Sequence, residues 1–230
     1  MYDVQQIRRR SLVDTVVEQL KREITDGNWR VGDRIPSEAE LTAALGVSRP
    51  SVREGVRSLV QLGLLETRQG DGTYVIADDA TQVALRRAIH AADDREVIRV
   101  RRALDALAAR EAAAARTEAD LETLRGHLRA RSEALITRDV RAFTEADVAF
   151  HLAVAQASGN QLLDGLYQSF DSSLRESVTD ASSLASGTDP DRADQHVHLL
   201  EAIVAGDADA AAAAALGVLD QQELLLDERL

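Results

Sequence analysis

The chain has 230 residues, with 27 Lys and Arg against 39 Asp and Glu, no cysteine and a formal charge of −12 at neutral pH. That length suggests one or two domains, each with room for its own core. The missing cysteines exclude disulfides and thiolate metal sites, and no stretch is apolar enough over its length to span a bilayer or to serve as a leader. A cytoplasmic protein is expected. The acidic total argues against a polyanionic partner only until it is divided by region. Residues 1–76 carry 11 basic and 11 acidic side chains, whereas residues 77–230 carry 16 and 28. Two domains are expected, over 1–76 and 77–230.

The first region begins with an amphipathic helix from Leu12 to Thr25, with apolar residues at 12, 13, 16, 17, 20 and 24. A turn-rich link, "GNWRVGDRIP", follows, and its Trp29 is expected to plug the core. "PSEAELTAALGVS" then opens with Pro36 and the capping box Ser37-x-x-Glu40, in which two side chains satisfy the first free backbone N–H groups of a short helix. Gly46 ends that helix, Ser48 caps the next, and Pro50 is tolerated in its first turn. Helix, tight turn and second helix make a helix-turn-helix. Beyond it, "GLLETRQGDGTYVI" predicts two short strands around Gly70-Asp71-Gly72, a wing.

The second helix of the pair carries the chemistry. Val52, Val56 and Leu59 form one stripe, which packs on the first helix, while Arg49, Arg53 and Arg57 form another. The exposed N-terminal edge therefore presents Ser48, Arg49, Ser51 and Arg53 to a DNA major groove. Arginine can bond guanine O6 and N7 together, and serine can reach phosphates or base edges. A solvated basic stripe is the ordinary fate of such arginines; the capping box, Gly turn and wing in this order outweigh it.

From about residue 80 the sequence is Ala, Leu, Arg and acid at helical spacing, with breaks near 93–94, 117, 138–139, 158–160, 185–190 and 206–207. About seven helices are predicted, capped at Thr117, Asp139, Asn160 and Asp207. The run Ala210–Ala215 reads as the small-residue face of a closely packed helix. Over 140–154, Val140, Phe143, Asp147, Phe150, His151 and Val154 share one stripe, so Asp147 and His151 point into the apolar side. His196 shares an inward stripe with Leu199, Leu200 and Ile203, whereas His198 falls on the other face beside Glu201. A buried carboxylate is costly unless paired or coordinated, and Asp and His at this spacing can chelate one divalent metal, zinc or similar. Arg101 lies inward with Val97, Leu104 and Ala108. It suits an anionic effector and, equally, a salt bridge with Asp105 or Asp147.

Residues 27–75, through "VGDRIPSEAELTAALGVSRPSVREGVRSLVQLGLLETRQGDGTYV", resemble the GntR family of bacterial transcriptional regulators. "VRRALDALAA" (100–109), "DVAFHLAVAQASGN" (147–160) and "HVHLLEAIVAGDADAA" (196–211) resemble the helical effector domain of its FadR subfamily. The resemblance implies a mainly α protein, a winged helix-turn-helix followed by an all-helical bundle. It implies a homodimeric regulator, read as a repressor, that binds double-stranded operator DNA and answers a small metabolite. By position it adds Gln69 and Gly70 at the wing tip as DNA contacts. One departure is Ala39, where members often carry an operator-reading arginine. The resemblance also implies a metal held by one Asp and three His; Asp147, His151 and His196 match three of these, while Val218 or Leu219 stands at the fourth. An enzyme remains as the alternative, with those three residues as a hydrolytic metal centre.

Overall fold

A computed structural model of the chain describes residues 11–175 and 195–227, and it divides into two compact units, 1–84 and 85–230. The predicted break near 185–190 lies outside the described residues. Each unit has its own apolar core.

In the first unit, α1 (Leu12–Thr25), α2 (Glu38–Leu45) and α3 (Arg49–Gln61) precede β1 (Leu65–Arg68) and β2 (Gly72–Val75). Capping boxes start α1 at Ser11/Asp14 and α2 at Ser37/Glu40. Gly46 ends α2 in the left-handed region at φ 65°, a conformation that costs an L side chain energy and Gly nothing. The α1 stripe of Val16, Leu20 and Ile24 packs with Val52, Val56 and Leu59 of α3, and Leu41 of α2 joins the same core. The helices meet closely at Gly55, where an added Cβ would lie 2.6 Å from Val16 Cγ1. The strands pair antiparallel from Leu65↔Val75 to Arg68↔Gly72. Trp29 is half-buried against this core rather than plugging its centre, and Leu12 at the stripe's start is exposed.

After α4 (Ala80–His90), the second unit holds α5 (Asp94–Ala115), α6 (Glu118–Thr137), α7 (Val140–Ala157), α8 (Gln161–Gln168), α9 (Gln195–Ala205) and α10 (Ala208–Asp227). The division between units falls inside α4, eight residues beyond the expected boundary. Ala80 packs with the first core, and Leu85 and Ile89 with the second. Thr117, Asp139 and Asn160 cap α6, α7 and α8 through their side-chain oxygens, and Asp207 Oδ1 accepts from Ala210 N at 3.0 Å. On α5, Ala108, Ala109, Ala112 and Ala113 are fully buried, as is Ala211 of α10, with Ala214 and Ala215 nearly so. Alanine on both partners lets α5 and α10 approach closely. Helices α6 and α7 pack side by side, and α7 also lies against α5 and α8, which brings polar residues of several helices into one interior. Among the described residues no helix is long and apolar enough to cross a membrane.

Candidate functional site

In the first unit Ser48, Arg49 and Arg53 are exposed and Ser51 is half-buried. Ser48 is the N-cap of α3: its Oγ accepts from Ser51 N at 3.4 Å and lies 2.9 Å from Ser51 Oγ. The serine pair thus fixes the helix start, and the two hydroxyls together keep hydrogen-bonding capacity for a further partner. Arg49 is exposed in the first turn. Arg53 is exposed as well, but its Nε and Nη2 both donate to Glu38 Oε2 of α2 at 3.2 Å. Sequence spacing within one helix could not reveal that partner, because Glu38 lies 15 residues away. At the wing, Gln69 and Gly70 are exposed in the turn closed by the Asp71 N–H donating to Arg68 C=O at 3.1 Å. Arg68 stacks 4.2 Å above the Tyr74 ring, whose hydroxyl donates to Asp71 Oδ2 at 2.9 Å.

The second unit buries its polar residues. Asp147 and His151 of α7 and His196 of α9 all lie inside. His196 Nε2 is 3.3 Å from Asp147 Oδ1, His151 Nε2 is 3.7 Å from Asp147 Oδ2, and the two Nε2 atoms are 3.3 Å apart. The Phe150 ring stands edge-on to both imidazoles, with centroids at 5.9 and 5.7 Å. A residue that spacing did not single out completes the group: Arg131 of α6 donates its Nε–H to Asp147 Oδ1 and lies 4.7 Å over the Phe143 ring. The signal was present, since Arg131 continues the buried stripe of Leu121, Leu124 and Leu128.

The electrostatics follow from this crowding. Burial alone would raise the Asp147 carboxyl, but His196, His151 and Arg131 together hold it well below the usual carboxylate range. Burial pushes His151 down to about 3, opposed by Asp147 and helped by His196, Arg101 and Arg131. His151 is therefore a neutral imidazole at physiological pH, and one of its ring nitrogens carries a lone pair that can accept a hydrogen bond or bind a metal.

Arg101 of α5 is buried, and its Nη2 donates to Asp105 Oδ2 at 3.3 Å, one of the two acids offered as its partner. Tyr167 of α8, buried against the same pair, has its hydroxyl pushed well above its ordinary pKa by burial and by Asp105. Burial pushes the Asp105 carboxyl up, against the pull of Arg101 and of the Tyr167 hydrogen bond. With Arg101 paired to Asp105 and Arg131 to Asp147, each buried charge has an opposite one beside it, as interior ions require.

The Asp147/His151/His196 group can hold a metal ion. Each residue offers one ligand atom, and these lie within 4.8 Å of one another. Ligand atoms around a tetrahedral zinc at about 2.1 Å stand roughly 3.4 Å apart; the two Nε2 atoms are 3.3 Å apart and His196 Nε2 is 3.3 Å from Asp147 Oδ1, whereas the 3.7 Å contact of His151 runs to the other oxygen, Oδ2. The fit is to three ligands: at the fourth family position Val218 and Leu219 are buried and apolar.

Residues 12–75 match the model of the bacterial regulatory proteins, gntR family, and residues 96–221 match that of the FCD domain. The provisionally named L-lactate dehydrogenase operon regulatory protein of Escherichia coli (strain K12) is 32% identical over 209 residues, 88% of this chain and 81% of that protein. The chain belongs to the gntR family. This family consists of transcriptional regulators, not enzymes, so the hydrolytic reading of the buried cluster is set aside. The gntR match to the HTH-type transcriptional regulator Mce2R of Mycobacterium tuberculosis (strain CDC 1551 / Oshkosh) is 44% identical but covers 72 residues, 31% of this chain and 30% of that protein. Among solved structures, Streptococcus agalactiae GntR has a TM-score of 0.61 at 25% identity, covering 90% of this chain and 97% of that one. Members of the gntR family bind operator DNA.

Proposed function

We propose that the chain is a cytoplasmic, homodimeric repressor whose operator binding is controlled by a small carboxylate. Residues 1–76 form the DNA-binding head, and 77–230 the effector and dimerisation domain. The head would place Ser48, Arg49, Ser51 and Arg53 in the major groove and Gln69 and Gly70 at the minor groove. One recognition helix reads only a few base pairs, so a dimer on a near-palindromic site is the form with adequate specificity. Exposed Leu135, Ile136 and Leu162 leave apolar surface that supports self-association.

The observation that carries the effector reading is the buried cluster itself. Arg101, Arg131, Asp147, His151 and His196 come from four helices, and a ligand bonded to several of them favours one arrangement of those helices over another. Such differential binding is what shifts a population of DNA-reading dimers. A carboxylate fits the two arginines and two imidazoles. The name of the Escherichia coli relative, which concerns an L-lactate dehydrogenase operon, supports an organic acid. Asp147, His151 and His196 would hold a divalent metal, zinc or similar, with Arg131 competing for Asp147 Oδ1. When bound, such an ion supplies Lewis-acid positions for effector oxygens.

The test is operator binding by full-length protein, followed by fluorescence anisotropy while organic acids are titrated. The double variant His151→Ala/His196→Ala should bind the operator as wild type does and ignore the acid. A double variant that answers with unchanged affinity would place the effector elsewhere. If a metal takes part, a chelator abolishes the wild-type response; if it does not, the response survives chelation and is lost with Arg101→Ala.

A further inference from the structure

Asp71 puts a carboxylate at the tip of the wing, an unexpected charge on a surface that meets a polyanion. The tip is a turn in which Arg68 C=O accepts from Asp71 N–H at 3.1 Å and Gly70 takes φ 78°. Asp71 is exposed there, and its Oδ2 accepts from the Tyr74 hydroxyl of β2 at 2.9 Å. One backbone bond and one side-chain bond thus hold the carboxylate in place, while Oδ1 remains to accept a second donor. Two arginines stand beside it. Arg68 stacks on the Tyr74 ring, and Arg34, bridged to Tyr74 through the backbone, lays its side chain across Gly72 in the space a Cβ would fill. These cations offset the repulsion between Asp71 and the phosphates of a duplex.

In the minor groove the base pairs differ by one donor. A·T and T·A pairs show acceptors alone, whereas guanine adds its N2 amino group. Gln69 has both a donor and an acceptor and can bond any pair, but an ionised Asp71 can only accept. Runs of A·T also narrow the groove and deepen its negative potential, which repels a carboxylate. Hydrogen bonding and charge therefore favour the same base pair.

We propose that Asp71, aimed by Tyr74, accepts from the guanine N2 amino group, so that the wing selects a G·C pair in the operator. This rests on the wing reaching the minor groove, as proposed above. Duplexes selected from a random pool by the full-length protein are the probe, and hydroxyl-radical footprinting locates the minor-groove contact. Inosine then replaces guanine at that contact, which removes the N2 amino group and leaves the major-groove edge unchanged. Anisotropy titrations should show at least about fivefold weaker binding of the inosine duplex by the wild type. Asp71→Asn keeps an oxygen for the Tyr74 hydroxyl but turns its NH2 to the groove. Its inosine penalty should vanish, even where the lost charge tightens binding to both duplexes. A diaminopurine·T pair at the same position adds the amino group to an A·T pair, and should outbind A·T for the wild type alone. Tyr74→Phe should shrink the inosine penalty; an unchanged penalty removes Tyr74 from the proposal. An inosine penalty shared by the wild type and Asp71→Asn, or absent from both, overturns the role of Asp71. So does a protected minor groove that contains no G·C pair, and in each of these cases the wing reading stands. A footprint with no minor-groove protection overturns both.

Discussion

Arg53 and Arg131 show how differently the two units use one kind of side chain. Arg53 is 69% exposed and bonds Glu38, itself 42% exposed, across the turn between α2 and α3. Arg131 is 12% exposed and bonds Asp147, which is 6% exposed. Water, salt and a phosphate can all compete for the first pair, which makes it weak and exchangeable. Nothing comparable reaches the second, so breaking it leaves a charge stranded in the interior. On the proposed reading, the head would carry recognition on residues that the fold does not need, and the helical domain on residues that the fold must satisfy whether or not a ligand is present.

The sharpest test of that contrast is Asp147→Ala. It removes the anion that faces Arg131, His151 and His196 together, and should lower stability by roughly 3–5 kcal/mol. Urea denaturation followed by circular dichroism would measure it. A loss under about 1 kcal/mol would mean that the buried charges do not depend on one another, and the contrast would fail.

Arg49→Ala and Arg53→Ala should show the reverse pattern. Each should cost roughly 1–3 kcal/mol of operator affinity if it reads a base, with stability within about 0.5 kcal/mol of wild type. Equal operator binding by the wild type and the double variant would remove both residues from the reading surface.

The two regions also differ in how much of them was legible. Helix ends could be read because caps are local: Ser37, Ser48, Thr117, Asp139 and Asn160 satisfy backbone donors within three residues. The inward direction of Asp147, His151, His196 and Arg101 could be read from periodicity, and all four are buried. Partners could not. Whether Arg101 meets Asp105, Asp147 or an effector depends on how α5 rolls against α7 and α8, which helical spacing does not determine. Arg131 was missed for a related reason: a charge on an apolar stripe near a helix end reads as solvated until a second helix brings a carboxylate to it. Val140 went the other way. It fits the α7 stripe but, as the first residue of the helix, is 42% exposed.

Acid titration separates the units more gently. His151 is lowered from 6.5 to about 3 in the folded protein, so between these pH values the unfolded chain binds the proton and the folded one does not. Stability therefore rises with pH across that window, by at most roughly 1.4 kcal/mol per unit from this group. The Asp147 shift acts lower, its contribution present above the unfolded carboxylate value and lost as pH falls through the depressed folded one. Measured with a chelator present, His151→Asn should flatten the slope of stability between about pH 4 and 6. An unchanged slope would show that His151 takes up its proton in the folded state.

The smallest effect belongs to the exposed pair. Glu38→Gln keeps the shape and the hydrogen-bonding oxygen beside Arg53 but removes the charge. An exposed ion pair is worth little, so stability should change by less than about 0.5 kcal/mol. Its influence should appear on DNA instead. With Glu38 ionised, Arg53 meets a competing carboxylate, and the head presents that acid to the phosphates; both discourage contact with arbitrary sequence. Neutralising it should strengthen binding to random duplex DNA, steepen its loss with added salt, and narrow the ratio of operator to random affinity. Anisotropy titrations of both duplexes at three salt concentrations would measure all of these. If the ratio widens, or random-DNA binding is unchanged, Glu38 does not temper Arg53, and the pair is a surface contact without a part in reading the operator.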